Sequence, residues 1–341
     1  MSDEIHGDYP IQVIASHDVC QAVRTRPGMY FGALEAASEH IVNELISNTI
    51  DQFLAGRATW LSVKIDGDFI EVCDDGPGFP FDEQIDDEPV ATRVFLRAHD
   101  TPTAHGHAPH IHVHALHGVG VAVVNAACAE LHCTSWRGDE QWSQSFAAGK
   151  LTSPARVITR GHGRGTTIRL RVDPDLIPIS TPRQSAIRRR LFDAVHLFPG
   201  LRASFGEEVF FAPHGLGQFV ELAETASTPD RHEWGERPTF HFRHESDTML
   251  VEASARGYGD ATAWKTWFNG APTPRHGIHK RALEAALEAA GWRPLTAMIH
   301  LIATEPRFAG PVRDELTCAC ADGLDALLLD AVRRHCAEHS I

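Results

Sequence analysis

The chain has 341 residues, of which 43% are hydrophobic and 22% charged, the balance of a globular protein with length enough for two domains. A formal net charge of −14 excludes a generic basic nucleic-acid binder, though not a protein that encloses DNA with a local basic surface. Seven cysteines, the polar start MSDEIHGDYP and the lack of a long apolar run disfavour a disulfide framework, a signal peptide and a membrane span, so a cytoplasmic protein is expected.

Apolar residues at Ile41, Leu45, Ile46, Ile50, Phe53 and Leu54 recur at helical spacing. With Gly56 as a stop, they predict a helix over 39–56. TWLSVKID alternates apolar and polar residues, and FIEVCDDGPGF follows it across a DGD turn; together they predict a hairpin. The segment 99–121 is rich in histidine, and His110, His112 and His114 alternate. In an extended strand their rings would share a face able to bind zinc; a polar surface loop is the favoured reading. GVGVAVVNAACAEL predicts a helix over 118–131, and CTSWRGDEQWSQSF a second hairpin. GRGTTIRLRV reads as a strand and SAIRRRLFDAVHLF as a helix. Its cluster Arg183, Arg188, Arg189 and Arg190 is read as a solvated face rather than a DNA contact.

From about Asp230 the pattern starts again. TFHFRHES and MLVEASARGYG pair as strands, HKRALEAALEAAG is a helix, LTAMIHLIAT a buried strand and LDALLLDAVRRHCAEH a terminal helix. The order implies an α+β fold, an antiparallel sheet covered by helices on one face, then a second α/β unit beginning between 215 and 229. Cys318 and Cys320 in CAC are read as small residues near a helix rather than a soft-metal chelate.

No GxxxxGK[ST], HExxH or GxSxG string occurs. GHGRG at 161–165 has the composition of a phosphate loop, but a strand follows it where a dinucleotide fold needs a helix. Glu44, Asn48 and Asp51 lie at i, i+4 and i+7, on one stripe of the first helix. A carboxylate there can act as general base toward water, and an amide oxygen can hold a hard cation such as Mg2+; a solvated helix face has the same pattern. Asp74 ends a strand, where a buried carboxylate can accept from an exocyclic amine, and Gly76 and Gly78 let backbone approach a ligand. HGVGV opens a helix whose first N–H groups suit phosphate. Thr166 in GRGTT offers a hydroxyl beside the same base.

In this order and spacing the motifs resemble the Bergerat ATP-binding fold of the GHKL superfamily, most closely the B subunits of DNA gyrase and topoisomerase IV. AVRTRPGMYFG, VNELISNTIDQFLAG, VCDDGPGFP, LHGVGVAVVNA and GTTIRL carry the first part. FNGAPTPRHGIHKRALEAAL and EPRFAGPVRDEL are similar to the family's transducer domain. The resemblance implies a GHKL ATP-binding α/β sandwich over 1–220, with an N-terminal arm that includes Tyr9 and an ATP lid at 99–121. A smaller α/β transducer domain follows over 221–341.

It also implies the site. Glu44 polarises the attacking water, Asn48 holds Mg2+ and Asp74 bonds the adenine amine, with Gly78 and Thr166 alongside. Asp51, Pro80 and Val94 line the nucleotide, and His117, Gly118, Val119, Gly120 and Val121 cradle its phosphates. ATP and Mg2+ are the implied cofactors. The implied partners are a second copy on nucleotide binding, and DNA or a gyrase or topoisomerase subunit, with no membrane.

Departures from the family pattern sharpen the expectation. The family's Gln-Thr-Lys is Pro311 to Arg313 here, so Arg313 takes the lysine's place at the γ-phosphate and slower hydrolysis is expected. Pro77 and Ser143 stand where two arginines of the coumarin edge belong, which predicts weak novobiocin binding by calorimetry. The lid has IHVHAL in place of YKVSGG, and no TOPRIM motif is found. The expectation is a stand-alone ATPase that closes a dimer gate without cleaving DNA. The alternative is an ATP-gated regulatory module with little hydrolysis.

Overall fold

The structure is a computed structural model that describes residues 19–97, 120–227, 238–303, 306–310, 314–319 and 321–339. Helices α1 (Val19–Thr25) and α2 (Gly28–Phe31) lead into α3 (Ala37–Leu54). The spacing read from the sequence buries Ile41, Leu45, Ile46 and Ile50 of α3, and Gly56 follows at φ 69°. Strands β1 (Trp60–Asp66) and β2 (Phe69–Asp74) form the expected antiparallel hairpin. The short pair β3 (Gln84–Ile85) and β4 (Glu88–Pro89) precedes α4 (Val90–Leu96).

Next come α5 (Gly120–Ala127), β5 (Cys128–Arg137), β6 (Glu140–Ala147), β7 (Lys150–Arg160) and β8 (Thr166–Val172). The helix expected over 118–131 gives way to strand at Cys128. Cys128 pairs with Val172 and Leu131 with Leu170 across β5 and β8, and this ladder outweighs the local helical pattern. After β8 follow α6 (Gln184–Leu197), β9 (Arg202–Phe205), β10 (Glu208–Phe211) and α7 (Gly215–Ser227).

These strands make one eight-stranded sheet in the order β10-β9-β1-β2-β8-β5-β6-β7. The expected antiparallel pattern has one exception: β9 runs parallel to β1, as it can because α6 carries the chain across before β9. Leu61, Val63, Ile70, Val72, Leu131, Cys133, Ile168 and Leu170 are buried. They alternate with Ser62, Lys64, Glu71, His132, Thr167 and Arg169, which are half-buried or exposed. Only one face is therefore covered by helices.

The second unit holds β11 (Thr239–Glu245), β12 (Met249–Arg256), β13 (Ala263–Phe268), β14 (Ala271–Pro272), α8 (Ile278–Ala289) and β15 (Thr296–Ala303). A two-stranded pair, β16 (Arg307–Phe308) and β17 (Leu316–Cys318), and α9 (Leu324–His339) complete it. The five-stranded sheet has the order β11-β12-β15-β13-β14. Val251, Ala253, Ile299 and Leu301 share a core with Leu283 and Leu287 of α8 and Leu328 and Val332 of α9. Leu250, Met298 and Ile302 instead join the core that contains Leu216, Phe219 and Val220 of α7. Both faces of this sheet are covered, which is why β12 and β15 are buried at nearly every position.

The arginine cluster is not a free basic surface. Arg183 pairs with Glu39, Arg188 with Glu208 and Arg189 with Asp193. Arg190 departs from the solvated-face reading: it is 8% exposed and donates to the carbonyl of Gly270 at 3.1 Å. No helix among the described residues is long and apolar enough to cross a membrane.

Candidate functional site

Helix α3 carries half-buried Glu44, Asn48 and Asp51, and contacts β1, β2 and α5. A Cβ added at Gly120 would stand 1.7 Å from Glu44 Oε1. The Glu44 carboxylate therefore lies directly on the first residue of α5, in space that only glycine leaves open. The positive end of α5 favours negative charge there. Further along α3, Gln52 approaches Gly76 and Asp74: a Cβ at Gly76 would be 3.7 Å from Gln52 Cγ and 2.8 Å from Asp74 Oδ1. At a rise of about 1.5 Å per residue, Glu44 and Gln52 are roughly 12 Å apart along the helix. One helix thus spans from Asp74 to the start of α5.

Asp74 closes β2, and its Oδ1 accepts the Gly76 N–H at 2.7 Å. Burial pushes its carboxyl up to about 6, against hydrogen bonds from the Gly76 and Thr166 backbones; the Asp75 charge adds to the rise and Arg164 opposes it. Thr166 is buried opposite Asp74 in the β2–β8 register. Its hydroxyl meets Ser135 Oγ at 2.9 Å, and Ser135 Oγ also accepts the Phe79 N–H at 2.9 Å. Ser135 thereby ties the DDGPGF loop to β5 and β8. It was not among the residues singled out from the sequence. The signal was there: Leu131, Cys133 and Ser135 share the inward face of one strand, so a polar residue occupies a core position.

Gly78 also meets a packing requirement inside the fold. It has φ 79°, and an added Cβ would lie 1.8 Å from the Trp136 carbonyl oxygen. At this position the backbone of β5 approaches too closely for a side chain. Pro80 accepts the Ala91 N–H at 3.3 Å and so anchors α4, on which Val94 is half-buried. Phe79 packs on Phe95 of α4 with ring centroids 5.2 Å apart. Ser143 of β6 pairs with Thr134 and Arg156.

Of the glycine-spaced run, Gly120 and Val121 open α5 and are buried. His117, Gly118 and Val119 lie outside the described residues, as do the rest of the histidine-rich segment, Tyr9, and Pro311 to Arg313. Among the described residues no group of three or more His, Cys, Asp or Glu side chains could hold a metal ion. Cys318 is exposed, and Cys320 lies outside the described residues.

Residues 34–176 match the family described as Histidine kinase-, DNA gyrase B-, and HSP90-like ATPase. The B subunit of DNA topoisomerase 4 from Caulobacter vibrioides is 28% identical over 304 residues, 82% of this chain and 43% of that protein. The B subunit of DNA gyrase from Mycolicibacterium smegmatis is 32% identical over 228 residues, 65% of this chain and 33% of that protein. The chain spans less than half the length of these curated relatives. In fold it is similar to the 43K ATPase domain of Thermus thermophilus gyrase B, solved with an aminocoumarin. That likeness has a TM-score of 0.75 and 23% identity, over 95% of this chain and 91% of that one. The gyrase B protein of Myxococcus xanthus gives 0.74 and 19%, over 92% and 95%. Residues 34–176 thus form a domain of the Histidine kinase-, DNA gyrase B-, and HSP90-like ATPase type, the GHKL type, and the B subunits of gyrase and topoisomerase IV are homologues of the chain.

Proposed function

We propose that the chain binds ATP between α3, the end of β2 and the start of α5, hydrolyses it, and closes into a dimer as it does so. The contact of Glu44 with Gly120 carries this reading. It puts a carboxylate at the end of the helix whose N-terminal N–H groups suit phosphate, while Asp74 waits at the other end of α3 for the adenine amine. Thr166 lies beside Asp74 at the base end. Glu44 takes a hydrogen bond, then the proton, from a water. The water oxygen bonds to the terminal phosphorus as the bridging P–O bond breaks and ADP leaves.

Asn48 is one turn from Glu44 and half-buried, and its amide oxygen is a hard donor of the type Mg2+ takes. Mg2+ bound there would neutralise phosphate charge. Pro80, Val94 and Asp51 line the nucleotide, and His117 to Val121 cradle the phosphates. Arg313 senses the γ-phosphate from the second unit, a task for which a guanidinium is well suited. The nucleotide-binding unit is assigned to 1–220 and the transducer to 221–341. A gyrase or topoisomerase subunit, or DNA, is the further partner.

Glu44→Ala should keep ATP binding and lower turnover by about 10²–10⁴-fold; normal turnover would show that the base is misassigned. Steady-state ATPase should rise more than linearly with protein concentration, and a non-hydrolysable analogue should increase crosslinked dimer. The replacement of the family's lysine by Arg313 favours one second reading, an ATP-gated regulatory module. Tight ATP binding without hydrolysis, with DNA present, is the result that selects it.

A further inference from the structure

The eight-stranded sheet has two edges, and they are built differently. At one edge β7 carries Lys150, Pro154, Arg156 and Arg160, and irregularities break its pairing with β6. Proline, charge and bulges keep a free edge from pairing with another chain. At the other edge β10 reads Glu-Val-Phe-Phe. It has no proline, its pairing with β9 is regular, and its one charge, Glu208, is held by Arg188 at 2.7 Å. Among the described residues no strand pairs with the outer side of β10. Register fixes where its side chains point. Phe210 pairs with Ala203 and Ala203 with Leu61, and the last two are buried beneath the helices. The positions on either side therefore point to the open face. Trp60, Arg202 and Phe211 form one row there, and Ser62, Ser204 and Val209 the next. Val209 is 75% exposed, Phe211 42% and Trp60 37%, so large apolar side chains meet solvent beside the unprotected edge. The Arg202 guanidinium lies over the Phe211 ring, 4.8 Å from its centroid. It thus reaches from β9 across β10 to the rim of the sheet, and among the described residues no carboxylate pairs with it.

We propose that the β10 edge docks an extended segment of a partner protein, which joins the sheet as a further strand and carries an apolar residue and a carboxylate two positions apart. The inference goes beyond the ATP reading and does not rest on it. An added strand satisfies the backbone N–H and C=O groups on the outer side of β10, and its side chains alternate between the two faces. Strands lie about 4.8 Å apart, so an open-face residue opposite Val209 packs on its exposed methyl groups. Two positions along, the next residue on that face stands beside Phe211, within reach of the Arg202 guanidinium. A carboxylate there meets a cation that has no other acid, in a chain whose net charge of −14 otherwise repels acidic partners. A second copy of β10 would bring only Val209 and Phe211 to this face and leave Arg202 without an acid. Four residues of edge make a small interface, so the contact is a transient one.

The test uses the full chain and a fluorescein-labelled peptide, Thr-Val-Thr-Glu-Thr-Val, which offers valine and glutamate two positions apart in either direction. Fluorescence polarisation should show saturable binding. Lysine in place of the peptide glutamate, or Arg202→Glu in the protein, should each weaken it about tenfold or more, and the two changes together should restore most of the affinity. Val209→Asp, at a position exposed enough for the fold to tolerate it, should weaken it as well. Amide hydrogen exchange at 208–211 should slow when the peptide is bound, as an added strand requires and a side-chain contact alone does not. ATP turnover should be unchanged in both protein variants, whose side chains point away from α3. Absence of binding, failure of the charge swap to restore it, or unchanged exchange in β10 would overturn the proposal. So would sedimentation showing that the chain alone dimerises and that Val209→Asp makes it a monomer, because a second copy then covers the edge. Binding of a single-stranded oligonucleotide in preference to the peptide, lost in Arg202→Glu, would overturn it too.

Discussion

At the scale of single residues, the site depends on pairs that are distant in sequence. Glu44 and Gly120 meet because α3 and α5 pack together. In Gly120→Ala the new Cβ collides with a flexible carboxylate rather than with backbone, so the fold should survive while Glu44 is displaced. Turnover should drop by on the order of a hundredfold or more, with the melting temperature within a few degrees of wild type. Steady-state kinetics and calorimetry on the same sample check both halves. The sequence marked Glu44, Asn48 and Asp51 as one stripe because helical periodicity fixes which side chains share a face. It did not mark Ser135, whose value comes from the Phe79 N–H and the Thr166 hydroxyl that folding brings to it.

At the scale of elements, α7 joins the two sheets, and its start is held by a carboxylate from the second. Glu252 is fully buried; it accepts the Leu216 N–H at 2.7 Å, His241 approaches it at 3.1 Å and Arg243 donates to it at 2.9 Å. Glu252→Ala leaves these donors without their acceptor and should destabilise the chain by about 3–5 kcal/mol, read by urea denaturation. A loss below about 1 kcal/mol would mean that water replaces the carboxylate there. Helix α3 and the first hairpin were legible because period and turn signals agree locally. The end of α5 was not. Cys128 becomes strand only because β8 is there to pair with it. Strands β7, β9 and β10 escaped notice for a related reason: β7 is half-buried or exposed along its length, and β9 and β10 span four residues each, too few to establish a period.

At the scale of the whole molecule, one of the two cores crosses between the sheets, from Ile41 and Ile46 of α3 through Phe219 and Val220 of α7 to Leu250, Trp267 and Met298 of the second sheet. Arg190 adds a buried polar link to Gly270 across the same junction. Nucleotide-free chain should therefore unfold in one calorimetric transition, with Trp267 exposed at the same temperature at which helical signal is lost. Two separated transitions would show that the sheets melt independently. What the sequence by itself determined is local and periodic: the amphipathic α3, the β1–β2 hairpin, the glycines around Asp74, and the chain order of motifs that marks the family. Those features survive in a linear reading because they depend on neighbours within a few residues. The tertiary structure alone decided that Glu44 rests on Gly120, that Gly78 is needed by Trp136, and that Arg190 is buried. Each of these is a contact between segments far apart in the chain, whose distance is set by packing rather than by spacing.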